Sequence, residues 1–309
     1  MTLVKEILEN VNKVVVGKKS VSRLILTAML AEGHVLIEDV PGVGKTTFAN
    51  AFANTFDCKY SRIQFTPDTM PGDVTGSSVY NYEKHEFEYV PGAIMGNIIL
   101  ADELNRTSPK TQASMLEAME ERQVTVDGKK YTLPSPFVVI ATQNPISQKG
   151  TYYLPESQLD RFMFRLSIGY PQLSESVNIV KNQILGNTVR NLNNIVDCNQ
   201  WKELIKNADK VFISDELIEY AALCIEETRK HDKVILGASP RALISWVRAA
   251  KSYAFIQERD YVIPDDLKDI AEEVLCHRIV LKQSTENSRE IEKLVVSECL
   301  RKVKVPIGK

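Results

Sequence analysis

No stretch of this 309-residue sequence is apolar for long enough to act as a signal core or a membrane span. Charge of one sign does not dominate either. The 38 Lys and Arg stand against 40 Asp and Glu, a net charge of -2, so the overall balance carries no sequence-independent attraction to DNA or an anionic membrane. Cysteine is scarce: Cys58, Cys198, Cys224, Cys276 and Cys299 are odd in number and scattered, with no CxxC pair and no His at ligand spacing. That argues against a cysteine metal site and predicts reduced, buried thiols. His34, His85, His231 and His277 are isolated and read as structural or exposed, and the two tryptophans, Trp201 and Trp246, sit in helical patterns as core. Internal repeats and low-complexity segments are absent. These absences place the chain in the cytosol as an expectation.

What is present is enough apolar sequence, 44%, for a sizeable core in two domains. Apolar residues at helical spacing from Val4 to about Ala31 are interrupted at Val14-Val15-Val16-Gly17, predicting helix, short break, helix. Apolar runs bounded by turn residues predict five buried strands: His34 to Glu38, Ser61 to Phe65, Asn97 to Ala101, Phe137 to Thr142 and Phe164 to Ile168. Helical patterns at Thr46 to Phe56 and Pro109 to Glu121 fall between them, and such alternation predicts a parallel sheet covered on both faces. Ser77 to Val90 and Val124 to Leu133, the latter around Asp127-Gly128, read as hairpins. Beyond Tyr170-Pro171 strand signals nearly vanish and capped helices dominate, with Ser214 and Ser239-Pro240 as starts. The expected division is an α/β domain over 1–170 and a helical domain over 171–309, with Asn187 to Asn199 as a surface loop.

The first predicted strand runs into Asp39-Val40-Pro41-Gly42-Val43-Gly44-Lys45-Thr46-Thr47 and then a helix, the context a phosphate-binding loop requires. Gly42 and Gly44 let backbone N–H groups turn toward a polyphosphate, aided by the positive end of the helix. Lys45 would neutralise the β- and γ-phosphates, and the Thr46 hydroxyl would ligate Mg²⁺, which takes hard oxygen ligands. Asp39 stands where the motif usually has its first glycine; a carboxylate there can stabilise the turn. Without its Lys-Thr the same string is an ordinary Gly-rich turn.

Ile98-Ile99-Leu100-Ala101-Asp102-Glu103 is an apolar strand that ends in two carboxylates, at the sheet end where open α/β sheets bind ligands. Asp102 would hold the Mg²⁺ shell, and Glu103 would polarise the water that attacks the γ-phosphate. Val138 to Asn144 is a further buried strand, and its Asn144 is suited to orienting that water. Alone each string is a plain strand end; their order and spacing behind a phosphate loop give them meaning.

These elements, together with Leu100-Ala101-Asp102-Glu103-Leu104-Asn105-Arg106, Ala141-Thr142-Gln143-Asn144-Pro145 and Leu154-Pro155-Glu156-Ser157-Gln158-Leu159-Asp160-Arg161-Phe162, resemble the MoxR family of AAA+ ATPases over nearly the whole chain. The resemblance implies a P-loop NTPase core with a five-stranded parallel sheet and an all-α lid, with ATP at their junction. It accounts for Thr66 to Val90 as an insertion after the second strand and for the hairpin before the Asn-bearing strand. It also implies that Arg161 is the arginine finger supplied to a neighbouring subunit, that Arg241 in Gly237-Ala238-Ser239-Pro240-Arg241 is the sensor-2 arginine, and that Val16-Gly17-Lys18 lies near adenine. Outside the motif, Arg161 reads equally as half of a surface ion pair with Asp160, and Arg241 as a solvated first-turn residue. Arg106 and Arg165 are further inter-subunit candidates; Gln64 and Thr66 regulate Glu103 or merely end a strand.

The implied function is Mg²⁺-dependent ATP hydrolysis in a ring, a hexamer by resemblance, driving chaperone-like maturation of partner complexes with von Willebrand factor A (VWA) domain proteins supplied by another chain. Two other readings stay open: a DNA motor using Lys129 and Lys130 of the second hairpin, and a scaffold that binds ATP without turning it over.

Overall fold

The computed structural model describes residues 2–40, 42–144, 151–186, 188–283 and 288–306. They form two compact units, one of residues 1–22, 34–154 and 166–202, the other of 23–33, 155–165 and 203–309. Spatial grouping is thus interleaved along the chain.

Five strands form one sheet in the order Phe164–Leu166, Val35–Glu38, Val138–Gln143, Ile98–Asp102, Tyr60–Gln64. The pairings of Val35–Glu38 with Val138–Gln143, of that strand with Ile98–Asp102, and of Ile98–Asp102 with Tyr60–Gln64 are parallel. Each predicted strand is present within two residues of its expected bounds. Ile98 to Leu100 and Val138 to Ile140 are completely buried, as the uninterrupted apolar runs require of strands covered on both faces. Each such side chain contributes about 1.5–3 kcal/mol on burial. Just before strand Val35–Glu38, buried His34 accepts the Val139 N–H at Nδ1 and meets the Met119 carbonyl through Nε2.

Helices Leu3–Asn12 and Lys19–Leu30 are separated by the predicted break, with Gly17 in a left-handed conformation at φ 76°. Helix Lys45–Thr55 follows the phosphate loop, and Pro109–Glu121 has the predicted bounds, capped by Ser108. Both hairpins form: Gly76–Asn81 pairs with Glu86–Pro91, and Gln123–Val126 with Lys129–Thr132 around left-handed Asp127 and Gly128.

Two expectations need correction. Cys58 and Cys198 are joined in a disulfide with Cα atoms 5.6 Å apart, while Cys224, Cys276 and Cys299 are free and buried. Short strands Phe56–Asp57 and Val196–Asp197 pair in parallel, so the residue after each lands beside the other, a neighbourhood that 140 residues of separation conceal. For the same reason 188–199 is not a plain loop. It holds a 3-10 turn at Val189–Asn191 and that short strand, and the Asn193 carbonyl accepts from buried Asn10, which also donates to Thr55.

In the second unit, helices Asp215–Lys230 and Pro240–Ile256 start at the expected caps, where Ser214 Oγ accepts from Leu217 N and Ser239 Oγ from Ala242 N. Asp266, at the third position of helix Pro264–Leu275, accepts from Ile263 N and also takes both Nη atoms of Arg259. Fully buried Trp246 donates from its ring N–H to the Leu267 carbonyl at 2.9 Å. Strands Val234–Leu236 and Val280–Leu281 add a small antiparallel pair that the sequence pattern does not announce.

Candidate functional site

Parallel register brings the polar strand ends to one edge of the sheet. Glu38 lies opposite Gln143, and Asp102 opposite Gln64. Gln143 Nε2 donates to Glu38 Oε1 at 2.7 Å. Before helix Lys45–Thr55, Gly42 and Gly44 have φ of 86° and 93°, so the loop turns through two left-handed residues, a conformation that favours glycine. Pro41 lies outside the described residues; Val43, Thr46 and Thr47 are partly exposed where loop meets helix.

Lys45 Nζ donates to the carbonyls of Asp39, at 2.6 Å, and Gln143, at 3.1 Å. Burial lowers its pKa, opposed by the charges of Asp39, Asp102, Glu103 and Glu38. A phosphate oxygen in place of those carbonyls would restore the charge partner that burial removes. Asp39 closes the loop from behind. Its Oδ2 accepts from Ser167 Oγ, Ile168 N and Gly169 N at 2.7–2.9 Å, and its Oδ1 from Val40 N at 2.8 Å. Burial works against the carboxylate, yet these bonds together hold its pKa below the usual value.

Asp102 is 8% exposed and held from two sides: Thr142 Oγ1 donates to Oδ1 at 2.7 Å, and Arg62 Nη2 to Oδ2 at 2.7 Å. Thr142 Oγ1 also accepts the Glu103 N–H at 2.9 Å. Glu103 itself has φ 57° and ψ 46°, a left-handed conformation that costs a non-glycine residue about 1–3 kcal/mol. Its Oε2 accepts from Gln64 Nε2 at 3.0 Å and Arg106 Nη1 at 2.9 Å. Gln64 therefore contacts Glu103 and is more than a strand end, and Arg106 is engaged within its own chain. Arg62, which a sequence pattern does not single out, is part of this network because it precedes Gln64 by two residues on the same strand face.

Asn144 follows the strand of Thr142, and its carbonyl accepts from Asn105 Nδ2 at 2.9 Å. Pro145 lies outside the described residues. Thr46 and Asp102 are hard-oxygen donors suited to Mg²⁺. Among the described residues no group of three or more His, Cys, Asp or Glu could hold a metal ion.

Beside the loop lies a cavity of about 220 Å³ lined by Val14 to Val16, Lys18, Gly42 to Gly44, Thr47, Phe48, Gly169, Pro171 and Ile179. An apolar wall next to a glycine loop that could take a polyphosphate suits a nucleoside. Gly17 lies between two lining residues and packs on Glu175: a Cβ there would sit 1.9 Å from Glu175 Oε1. Glu175 in turn stands 3.9 Å from Lys18 Nζ.

The second unit carries the three remaining candidate arginines. Arg161 is partly exposed, and Asp160 beside it is bound to Arg278 at 2.7 Å, a different ion pair from the one the two-residue string suggests. Arg241 is exposed at the start of helix Pro240–Ile256, and Arg165 pairs with Glu292 at 3.4 Å. Among the described residues no helix is long and apolar enough to cross a membrane.

Residues 34–164 match the ATPase family associated with various cellular activities (AAA), and residues 226–297 match the AAA lid domain. The protein YeaC of Bacillus subtilis is 47% identical over 99% of this chain and 95% of its own length. Chaperone MoxR1 of Mycobacterium tuberculosis is 38% identical over 99% of this chain and 82% of its own. A solved structure of a protein from Cytophaga hutchinsonii, assigned as an ATPase, matches with a TM-score of 0.90 and 39% identity, covering 99% of this chain and 95% of that one. A glycine loop followed by Lys-Thr, the carboxylates Asp102 and Glu103 at the end of strand Ile98–Asp102, and relatives along the whole length agree: the chain belongs to the MoxR family of AAA+ ATPases.

Proposed function

We propose that this protein hydrolyses ATP with Mg²⁺ in a ring oligomer, a hexamer, and uses the cycle for chaperone-like remodelling of a partner complex with VWA-domain proteins. The observation that carries the chemistry is the arrangement at the strand ends, where Thr142 bonds both Asp102 and the Glu103 N–H and the next residue, Gln143, accepts from Lys45 through its carbonyl. Gly42, Val43, Gly44 and Lys45 bind the polyphosphate, Thr47 and the segment around Gly17 hold the nucleoside side, and Asn144 orients the lytic water. Thr46 and Asp102 hold Mg²⁺, which neutralises phosphate charge when bound. Glu103 takes the water's proton, a role worth about 10²- to 10⁴-fold. Arg161 completes the site of a neighbouring subunit, and Arg241, within the proposed lid of 171–309, senses the γ-phosphate of its own. The chaperone role rests on the name of the Mycobacterium relative; the VWA partners rest on family resemblance.

Turnover measured against protein concentration tests the reading. Specific activity should rise as rings assemble. Glu103→Gln and Arg161→Ala should each keep ATP binding and lose turnover, the latter by about 10³- to 10⁵-fold. Full activity of a monomer, or of either variant, refutes it.

A further inference from the structure

The strongest polar cluster outside the phosphate site lies in the second unit, around Arg278. Its side chain is 1% exposed. Nε donates to Asp160 Oδ1 at 2.7 Å, Nη2 to the carbonyls of Asp160 and Phe162 at 3.2 and 2.7 Å, and Nη1 to those of Met163 and Val274 at 3.2 and 2.6 Å. A guanidinium has five N–H donors, and here all five are used. Four of the bonds go to residues 160, 162 and 163, and the Phe162 carbonyl also meets His277 Nε2 at 2.9 Å. Arg161 therefore sits on a backbone pinned immediately before and after it.

The other oxygen of Asp160 faces elsewhere. Oδ2 accepts from Ser239 Oγ at 3.3 Å, and Ser239 Oγ accepts from Ala242 N as the cap of helix Pro240–Ile256. Arg241 is the second residue of that helix. One carboxylate thus joins the segment that carries Arg161 to the helix start that carries Arg241. Asp160, Ser239 and Arg278 also share the wall of a cavity of about 520 Å³, so the bridge borders open space into which it can shift.

We propose that Asp160 is a positioning residue that couples Arg161 to Arg241, so that a displacement of the sensor helix displaces the arginine offered to the neighbouring subunit. This rests on the reading of those two arginines given above. In an ion pair with a saturated guanidinium, the Oδ1 side is the fixed end. The longer, neutral Ser239 contact is the end through which a shift of the helix start enters.

Ser239→Asp tests the coupling, because an aspartate still caps the helix but sets a carboxylate against Asp160. Turnover should fall by about 10²-fold, the loss associated with a misplacement on the order of 1 Å. Ser239→Thr keeps both hydroxyl and cap and should behave as wild type. Adding Asp160→Asn to Ser239→Asp lets the amide donate to the new carboxylate and should restore turnover, which a purely structural loss would not do. Wild-type turnover in Ser239→Asp, or a loss that Asp160→Asn leaves unrepaired, overturns the proposal. Arg161→Ala is run alongside. If it turns over ATP at the wild-type rate, the reading of that arginine has failed by itself, and ATP affinity then decides the coupling: Ser239→Asp must weaken binding as Arg241→Ala does, and an unchanged affinity overturns it.

Discussion

Gln64 Nε2 donates to Glu103 Oε2 at 3.0 Å across adjacent parallel strands, and Arg106 meets the same oxygen. The carboxylate proposed to activate water is thereby held by two partners of its own chain. Leaving them costs hydrogen bonds that the reacting state has to replace.

Gln64→Leu is expected to raise unstimulated turnover by roughly 3- to 10-fold, since one net hydrogen bond of about 0.5–1.5 kcal/mol no longer holds Glu103 back. Steady-state kinetics with ATP in excess reads this. A fall instead means that Gln64 aims Glu103 during the reaction.

Gly17→Ala should destabilise the protein twice over. An L-residue in the left-handed region costs about 1–2 kcal/mol, and the new Cβ drives Glu175 from its place, where it accepts from Gln172 N at the start of helix Leu173–Ile184. Combining it with Glu175→Ala should remove the clash and leave the backbone part. Denaturant unfolding of both variants separates the two, and nucleotide titration should show weakened binding in the cavity that Val16 and Lys18 line.

Acid should weaken the fold well above the carboxylate range. Burial, then the Arg122 charge, pushes the His34 pKa down to about 3, and burial followed by Arg278 drives that of His277 well below its usual value. Unfolded, both return to about 6.5. Between about pH 6.5 and pH 3 the unfolded chain therefore binds a proton at His34 that the folded one refuses, and stability falls as pH drops through that window by about 1.4 kcal/mol per pH unit, with His277 acting in the same direction. Urea midpoints through this range check it, and His34→Gln should flatten the slope whatever it costs at neutral pH.

The disulfide gives a simple count. Alkylation of the denatured, unreduced protein should label three of the five cysteines, Cys224, Cys276 and Cys299, and reduction should release Cys58 and Cys198. Five labels without reductant would show the pair to be open.

The central sheet and the carboxylates at its end were legible because their signals are local. A run such as Ile98 to Leu100 states its own burial, and a Gly-Val-Gly-Lys string states a turn. Caps were legible for the same reason, as Ser214 and Ser239 show. What escaped depends on register between distant segments. Arg62 reaches Asp102 only because Tyr60–Gln64 pairs with Ile98–Asp102, and Cys58 meets Cys198 only through a two-residue strand pair. The Asp160 pairing was misleading in another way: the adjacent arginine in the string is not the partner, because a buried guanidinium 118 residues on has better geometry.

Asp39 bears on how such proteins are found. Its backbone is not among the left-handed residues, so nothing in the turn demands glycine there, while its carboxylate ties the loop to 167–169. A search pattern that insists on a glycine at the position of Asp39 passes over this loop. The geometry instead requires glycine at 42 and 44, and a pattern anchored on those two positions and the following Lys-Thr would admit acidic variants like this one.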